Sequence, residues 1–283
     1  MAPPTIVDSH VHLWNPAQLR YTWLDGLPAL NRAFQPVDLA AASASANLGK
    51  FIFVECGCEP AQSLAEIDWI ATLAMSETRL KGIVAQASLE GGDTARPQLE
   101  MLASRPLVKG VRRNLQSEQD AGFFLQPKFI LGVRLLAEFG FTFDLCLRNN
   151  QLCAAAELVR RVPEVTFVLD HLGKPDVGNQ SLRPWANDLD ALAGLPNVVA
   201  KISGLTTEAN WHDWQPAELA PYLKQAFANF GPERLMFGSD WPVMTLATTY
   251  RRWIETVQTL MPFSKEQDWV QFFQTNAERI YRV

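Results

Sequence analysis

Eight short apolar runs recur along the chain, and polar or helix-patterned stretches separate them. They read "TIVDSHVH", "KFIFVEC", "LKGIVAQAS", "LVKGVRRN", "FTFDLCLR", "VTFVLDH", "NVVAKIS" and "RLMFGSD". Each is short enough for a strand, and several are nearly unbroken Val, Ile, Leu and Phe, the pattern of parallel strands covered on both faces. Between them, "PAQSLAEIDWIATLAMSE", "PKFILGVRLLAEFG", "QLCAAAELVRRVP" and "PAELAPYLKQAFANFG" place apolar residues at three- and four-residue spacing. Gly or Pro often follows as a stop signal. The last helices are expected in "ATTYRRWIETVQTLMP" and "KEQDWVQFFQTNAERIYRV". Eight strands alternating with helices predict a single-domain (β/α)8 TIM-type barrel over residues 1–283. The competing open, doubly wound sheet would usually carry a Gly-rich phosphate turn after its first strand, where this chain has "HVHLWNP".

Composition narrows the partners. The 283 residues include 25 Lys and Arg against 30 Asp and Glu, a formal charge of -5, with no basic run to bind nucleic acid. The opening "MAPPTIVDSH" lacks the basic-then-apolar order of a signal peptide, and no stretch is long and apolar enough for a membrane span. Cys56, Cys58, Cys146 and Cys153 fit neither a disulfide framework nor a zinc knuckle, which predicts reduced thiols in a cytoplasmic protein.

A barrel of this kind works at the C-terminal ends of its strands. Ionisable residues break the apolar runs at that end: His10 and His12, Glu55, Arg112 and Arg113, Asp170 and His171, and Asp240. Side chains alternate along a strand with period two, so His10 and His12 should point to one side, about 6–7 Å apart along it. Asp8 shares their parity and is expected deeper, orienting a ligand or supporting the barrel floor. Imidazoles converging with a carboxylate suit a divalent metal such as zinc. Glu55 is either a site residue or a structural acid paired with arginine. Only one of Arg112 and Arg113 should face the pocket. Trp14, Trp23, Trp211, Trp214 and Trp241 follow strand ends and offer flat apolar faces for a sugar ring, or else pack loops on the rim. Of these, Trp14 and Trp241 abut the proposed ligands. His212, in "NWHDWQ", is a substrate contact or a solvated surface residue.

The stretches "VDSHVHLWNP", "FVLDHLGKP" and "LMFGSDWPV" resemble the amidohydrolase superfamily, and most of all its amidohydrolase-2 branch of sugar-acid lactonases, of the L-fuconolactonase and L-rhamnonolactonase type. 2-Pyrone-4,6-dicarboxylate lactonase is a more distant member. The resemblance runs from the first strand to the eighth. It implies that His10, His12, His171 and Asp240 form the metal-binding set, with Asp240 also the general base and His171 catalytic. It implies one divalent metal, zinc for preference, in a branch where some members need none. The fifth strand, "FTFDLCLRNN", has no His, and Lys109 lies within the fourth strand and not at its end, so a two-metal centre is not expected.

The expected activity is hydrolysis of a small sugar-acid lactone by water, with Arg112, Arg113, Trp14, Trp23, Glu55, His212 and Trp241 as candidate substrate contacts. The alternative is a non-oxidative decarboxylase of a small carboxylic acid. Such members usually add a metal-binding His on a middle strand, which this chain lacks. A ligand-binding barrel without catalysis is a third reading, and the intact His, His and Asp set argues against it. No G-x-S-x-G elbow is present, which disfavours a covalent serine hydrolase.

Overall fold

The eight apolar runs are the eight strands of one parallel sheet. A computed structural model describes residues 5–283, so the first four residues of the opening stretch lie outside the described part. The strands are β1 Ile6–Val11, β2 Leu48–Val54, β3 Leu80–Gln86, β4 Val108–Arg112, β5 Thr142–Leu145, β6 Phe167–Leu169, β7 Val198–Ile202 and β8 Leu235–Phe237. They pair in chain order. Residues beyond β8 return to β1: Val11 bridges Trp241 in parallel, Asp240 N donates to His10 O at 2.9 Å, and His12 N donates to Trp241 O at 2.7 Å. That seam closes the barrel and ties the two ends that carry the histidine pair and the aspartate.

Helices α1 Pro36–Ala42, α2 Ser63–Ala74, α3 Arg96–Ala103, α4 Pro127–Leu135, α5 Leu152–Arg161, α6 Trp185–Ala193, α7 Pro216–Phe230 and α8 Tyr250–Leu260 alternate with the strands. The chain is therefore a single-domain (β/α)8 barrel. The sequence reading does not mark α1, α3 and α6, which are only seven, eight and nine residues long. The last segment is helical as expected, with a π turn inside it. It is α9 Glu266–Val270, a π turn Gln271–Thr275 and α10 Asn276–Tyr281. Phe272 and Phe273 of that turn are both buried. Among the described residues, no helix is long and apolar enough to cross a membrane. All four cysteines are free, and only Cys153 is exposed.

Two apolar layers result. One lies between sheet and helices; the other fills the lumen with Val7, Ile52, Val54, Val84, Val168, Val199 and Met236, closed from below by Ala277, Ile280 and Tyr281. Period two carries the lumen face upward from Val168 to Asp170 and from Val199 to Lys201. A charged layer thus sits on the apolar one. β1 breaks this rule. Its register with β2 shifts between Asp8 and Val11, and the irregularity puts Asp8 on the opposite face from His10 and His12. Asp8 instead accepts from Tyr250 Oη of α8 at 2.8 Å and from Ser239 N at 2.9 Å. The shared parity expected for Asp8 is corrected accordingly.

Candidate active site

Four side chains converge at the C-terminal mouth. His12 Nε2 lies 3.3 Å from Asp240 Oδ1, His10 Nε2 3.7 Å from it and His171 Nε2 3.9 Å from it. The two strand-one histidines approach to 3.2 Å between Nε2 atoms. Local backbone makes this possible. Asp240 and His171 both adopt left-handed conformations, φ 63 and φ 53, which turn their side chains back over the lumen. Gly204, φ +65, leaves room for the His171 ring: a Cβ there would lie 2.6 Å from Nδ1. His171 Nδ1 in turn lies 2.8 Å from Ser203 Oγ.

The donor set fits a divalent metal. A tetrahedral ion with bonds of about 2.0–2.1 Å separates its ligand atoms by about 3.3 Å. The three separations among His10 Nε2, His12 Nε2 and Asp240 Oδ1 are 3.2, 3.3 and 3.7 Å. His171 groups instead with His10 and Asp170, so three of the four expected ligands form the tightest set.

Beneath them lies a buried charge network. Lys201 Nζ contacts Asp144 Oδ2 at 2.6 Å, Asp170 Oδ1 at 3.0 Å and His10 Nδ1 at 3.2 Å. Tyr281 Oη donates to Asp144 Oδ2 at 2.7 Å, so the C-terminal helix reaches this layer from below. Arg112 donates from Nε to Glu55 Oε1 at 2.6 Å and from Nη2 to Glu55 O at 2.5 Å, and its Nη1 lies 3.4 Å from Asp170 Oδ2. Sequence reasoning does not single out Lys201 and Asp144. The usable signal is a charge in the middle of an unbroken apolar strand, "VVAKI" and "TFDL". Such a residue at a lumen position needs a partner on another strand.

The mouth opens into a cleft of about 500 Å³ lined by His12, Trp23, Arg112, His171, Lys174 and Asp240, with Asn114 and Gln116 also on its wall. Trp23 spends its indole N–H on Cys56 O at 2.8 Å and leaves carbon surface to the cleft. Lys174 donates to Gln116 Oε1 at 2.6 Å and faces Glu208 at 3.7 Å.

Several expected contacts fall elsewhere. Arg113 points away, toward Glu90 and Glu118, because it alternates with Arg112. Glu55 is buried and occupied by Arg112 and by Gly57 N at 2.6 Å, so it braces the site from within. Trp14 is buried behind His12, donating to Leu30 and Arg32 carbonyls. Trp241 is buried against Phe34. Trp214 is buried and donates to Ala247 O. His212 and Trp211 are exposed in the loop after β7, outside the cleft lining.

Burial and charge set the protonation of this centre. Burial lowers the His171 imidazole to about 4, against the pull of Asp240 and Asp170. His10 is held well below its ordinary value for the same reason, with Asp170 opposing and Lys201 assisting. Burial alone would raise the Asp240 carboxyl; the charge of His171, the hydrogen bond from His12, and His10 outweigh it and hold it below the usual carboxylate range. For Asp170, burial is likewise outweighed, by Lys201, His10 and Arg112. At neutral pH an ionised Asp240 therefore faces the neutral imidazoles of His10 and His171.

The amidohydrolase family model matches residues 7–283. The chain belongs to the amidohydrolase family. Among similar proteins, this amidohydrolase is 32% identical to L-fucono-1,5-lactonase of Burkholderia multivorans over 88% of each chain. It is 23% identical to L-rhamnono-gamma-lactonase of Scheffersomyces stipitis over 62% of this chain and 60% of that one. Its fold superposes with a TM-score of 0.87 on a crystal structure of a Burkholderia multivorans amidohydrolase with bound zinc, at 29% identity over 99% of both chains.

Proposed function

We propose that this amidohydrolase opens a small, uncharged sugar-acid lactone, L-fucono-lactone-like, to the aldonic acid by Asp240-assisted attack of water. The observation that carries this reading is the Asp240 carboxyl group, held within 3.3–3.9 Å of three imidazole Nε2 atoms at the base of an open cleft. Support for a sugar-lactone substrate comes from the fuconolactonase relative at 32% identity.

Asp240 takes a proton from water as its oxygen bonds to the lactone carbonyl carbon. His171, neutral and braced by Ser203, offers its Nε2 side to the developing oxyanion. One well-placed donor of this kind contributes about 3–4 kcal/mol. The ring C–O bond then breaks, and Asp240 returns the proton to the leaving ring oxygen. His10, His12 and Asp240 would hold a divalent ion, zinc for preference; bound there, it lowers the pKa of water or polarises the carbonyl. Trp23 presents its carbon face to the sugar ring, and Asn114, Gln116 and Lys174 meet its hydroxyls.

Charge separates a neutral lactone from a carboxylate-bearing substrate. The cationic side chains lining the cleft are already paired, Arg112 with Glu55 and Asp170, and Lys174 with Gln116 and Glu208. A substrate carboxylate would meet the Asp240 carboxylate with both of these side-chain cations engaged. A pH-indicator panel of fucono-, galactono-, arabino- and rhamnono-lactones, run on metal-stripped and zinc-restored protein, tests the proposal. Acid release from at least one lactone is expected, and none from any of them refutes it.

A further inference from the structure

We infer that Asp8 is a positioning residue: one of its oxygens clamps the backbone of His10 to that of Ser239, and so fixes where Asp240 sits relative to His10. The inference rests on the reading of Asp240 as the base. Asp8 Oδ1 accepts from His10 N at 3.1 Å and from Ser239 N at 2.9 Å. The first of these residues belongs to β1, and the second immediately precedes Asp240 beyond β8. One atom thus bridges the seam where the barrel closes.

The carbonyl side of His10 makes the other tie, since Asp240 N donates to His10 O at 2.9 Å. A single hydrogen bond is a pivot. Two of them, one on each side of His10, set an angle as well as a distance. Asp240 needs that constraint, because its φ of 63 is a left-handed conformation that a residue other than glycine keeps only where its surroundings enforce it. Without Asp8, the Ser239 N–H would lose its acceptor, and the pivot alone would hold Asp240 to β1.

Asp8 is itself held from outside the barrel. Its Oδ2 accepts from Tyr250 Oη of α8 at 2.8 Å, and Trp253 of the same helix donates from Nε1 to Gly238 O at 2.9 Å. Helix α8 therefore braces this end of the seam through two side chains. Asp8 is fully buried, and all three of its donors are neutral. Burying a carboxylate among neutral donors is unfavourable, and packing alone does not call for it. What the carboxylate offers here is an oxygen with two lone pairs, which can accept from two strands at once. Asp8 does not line the cleft, so it acts through His10 and Asp240 and not on substrate.

Asp8→Ala removes the clamp. Asp8→Asn keeps it, because the amide oxygen can take both N–H groups while the amide nitrogen turns to Tyr250 Oη, which can accept. Crystal structures of the wild type and both variants, grown alike, and steady-state kinetics on a lactone that the wild type opens, read the effect. In Asp8→Ala the His10 Nε2 to Asp240 Oδ1 separation should shift by about 1 Å from 3.7 Å, and kcat should fall about 100-fold. KM should barely change, because Asn114, Gln116 and Lys174 of the cleft wall belong to the loops after β4 and β6. Asp8→Asn should recover most of both losses. A folded Asp8→Ala protein with the wild-type separation or the wild-type kcat overturns the inference, as does an Asp8→Asn protein no better than Asp8→Ala. A residue that only stabilised the fold would lower the unfolding free energy and leave kcat alone. If Asp8→Ala does not fold, Tyr250→Phe takes its place with the same readouts: a smaller shift and a smaller loss of kcat at unchanged KM are expected, and wild-type values overturn the inference. If the wild type opens no lactone, the proposed activity falls, and the separation alone decides the role of Asp8.

Discussion

Arg112 and Glu55 are locked together under the cleft, the guanidinium reaching both the carboxylate at 2.6 Å and the main-chain oxygen of the same residue at 2.5 Å. Their side chains are 6% and 1% exposed, so the pair is desolvated and cannot trade partners with water. Breaking such a pair by removing one member costs about 3–5 kcal/mol. Glu55→Ala should lower the free energy of unfolding by that amount in a urea titration. If Glu55 were a substrate contact, the variant would keep its stability and lose affinity for substrate.

Gly204 is expected to control the His171 ring. Its φ of +65, and the 2.6 Å that would separate an added Cβ from Nδ1, leave no space for alanine. Gly204→Ala should cost about 1–2 kcal/mol of stability for the left-handed backbone. A ring displaced by about 1 Å should also lower kcat about 100-fold. Steady-state kinetics on the folded variant, with stability measured in parallel, checks both effects.

The activity profile should extend far into acid. His171 stays neutral until about pH 4 because burial disfavours its cation, and Asp240 is held ionised below the usual range. kcat/KM is therefore expected to be flat from about pH 8 to about pH 5 and to fall near pH 4, as the His171 cation forms and pairs with the Asp240 carboxylate that must take the proton from water. An acid limb near the ordinary imidazole value of 6.5 would contradict this placement of charge.

Glu66 gives a stability signature of its own. Burial, then the nearby Glu55 charge, raises its carboxyl from 4.5 to about 8. The folded state thus keeps a proton that the unfolded chain releases. Its contribution is fully present below about pH 4.5 and is lost as pH rises through about 8, with a slope of at most about 1.4 kcal/mol per pH unit. Glu66→Gln should flatten the fall in unfolding free energy between about pH 5 and about pH 8. An unchanged slope would remove Glu66 as its source.

Strand composition made the barrel legible, because a parallel strand buried on both faces must be nearly all apolar, and eight such runs leave few topologies. The histidine pair, His171 and Asp240 stand out for the same reason: each interrupts or ends such a run. Less was legible where function depends on partners distant in the chain. Arg112 and Arg113 are adjacent, and only the pairing of β3 with β4 and the positions of Glu90 and Glu118 decide which one enters the lumen. Asp8 breaks parity because of a register shift that no local residue announces. Trp14, Trp214 and Trp241 are large apolar side chains near the rim, and packing, not ligand contact, claimed them.

The central claim is that Asp240 activates water for lactone hydrolysis at the mouth of this barrel. Its most direct test is the rate of acid release from L-fucono-1,5-lactone by wild-type and Asp240→Asn protein, both shown to be folded by circular dichroism. Turnover by the wild type and a loss of at least ~100-fold in the variant are predicted. A variant that works at nearly the wild-type rate would contradict the account.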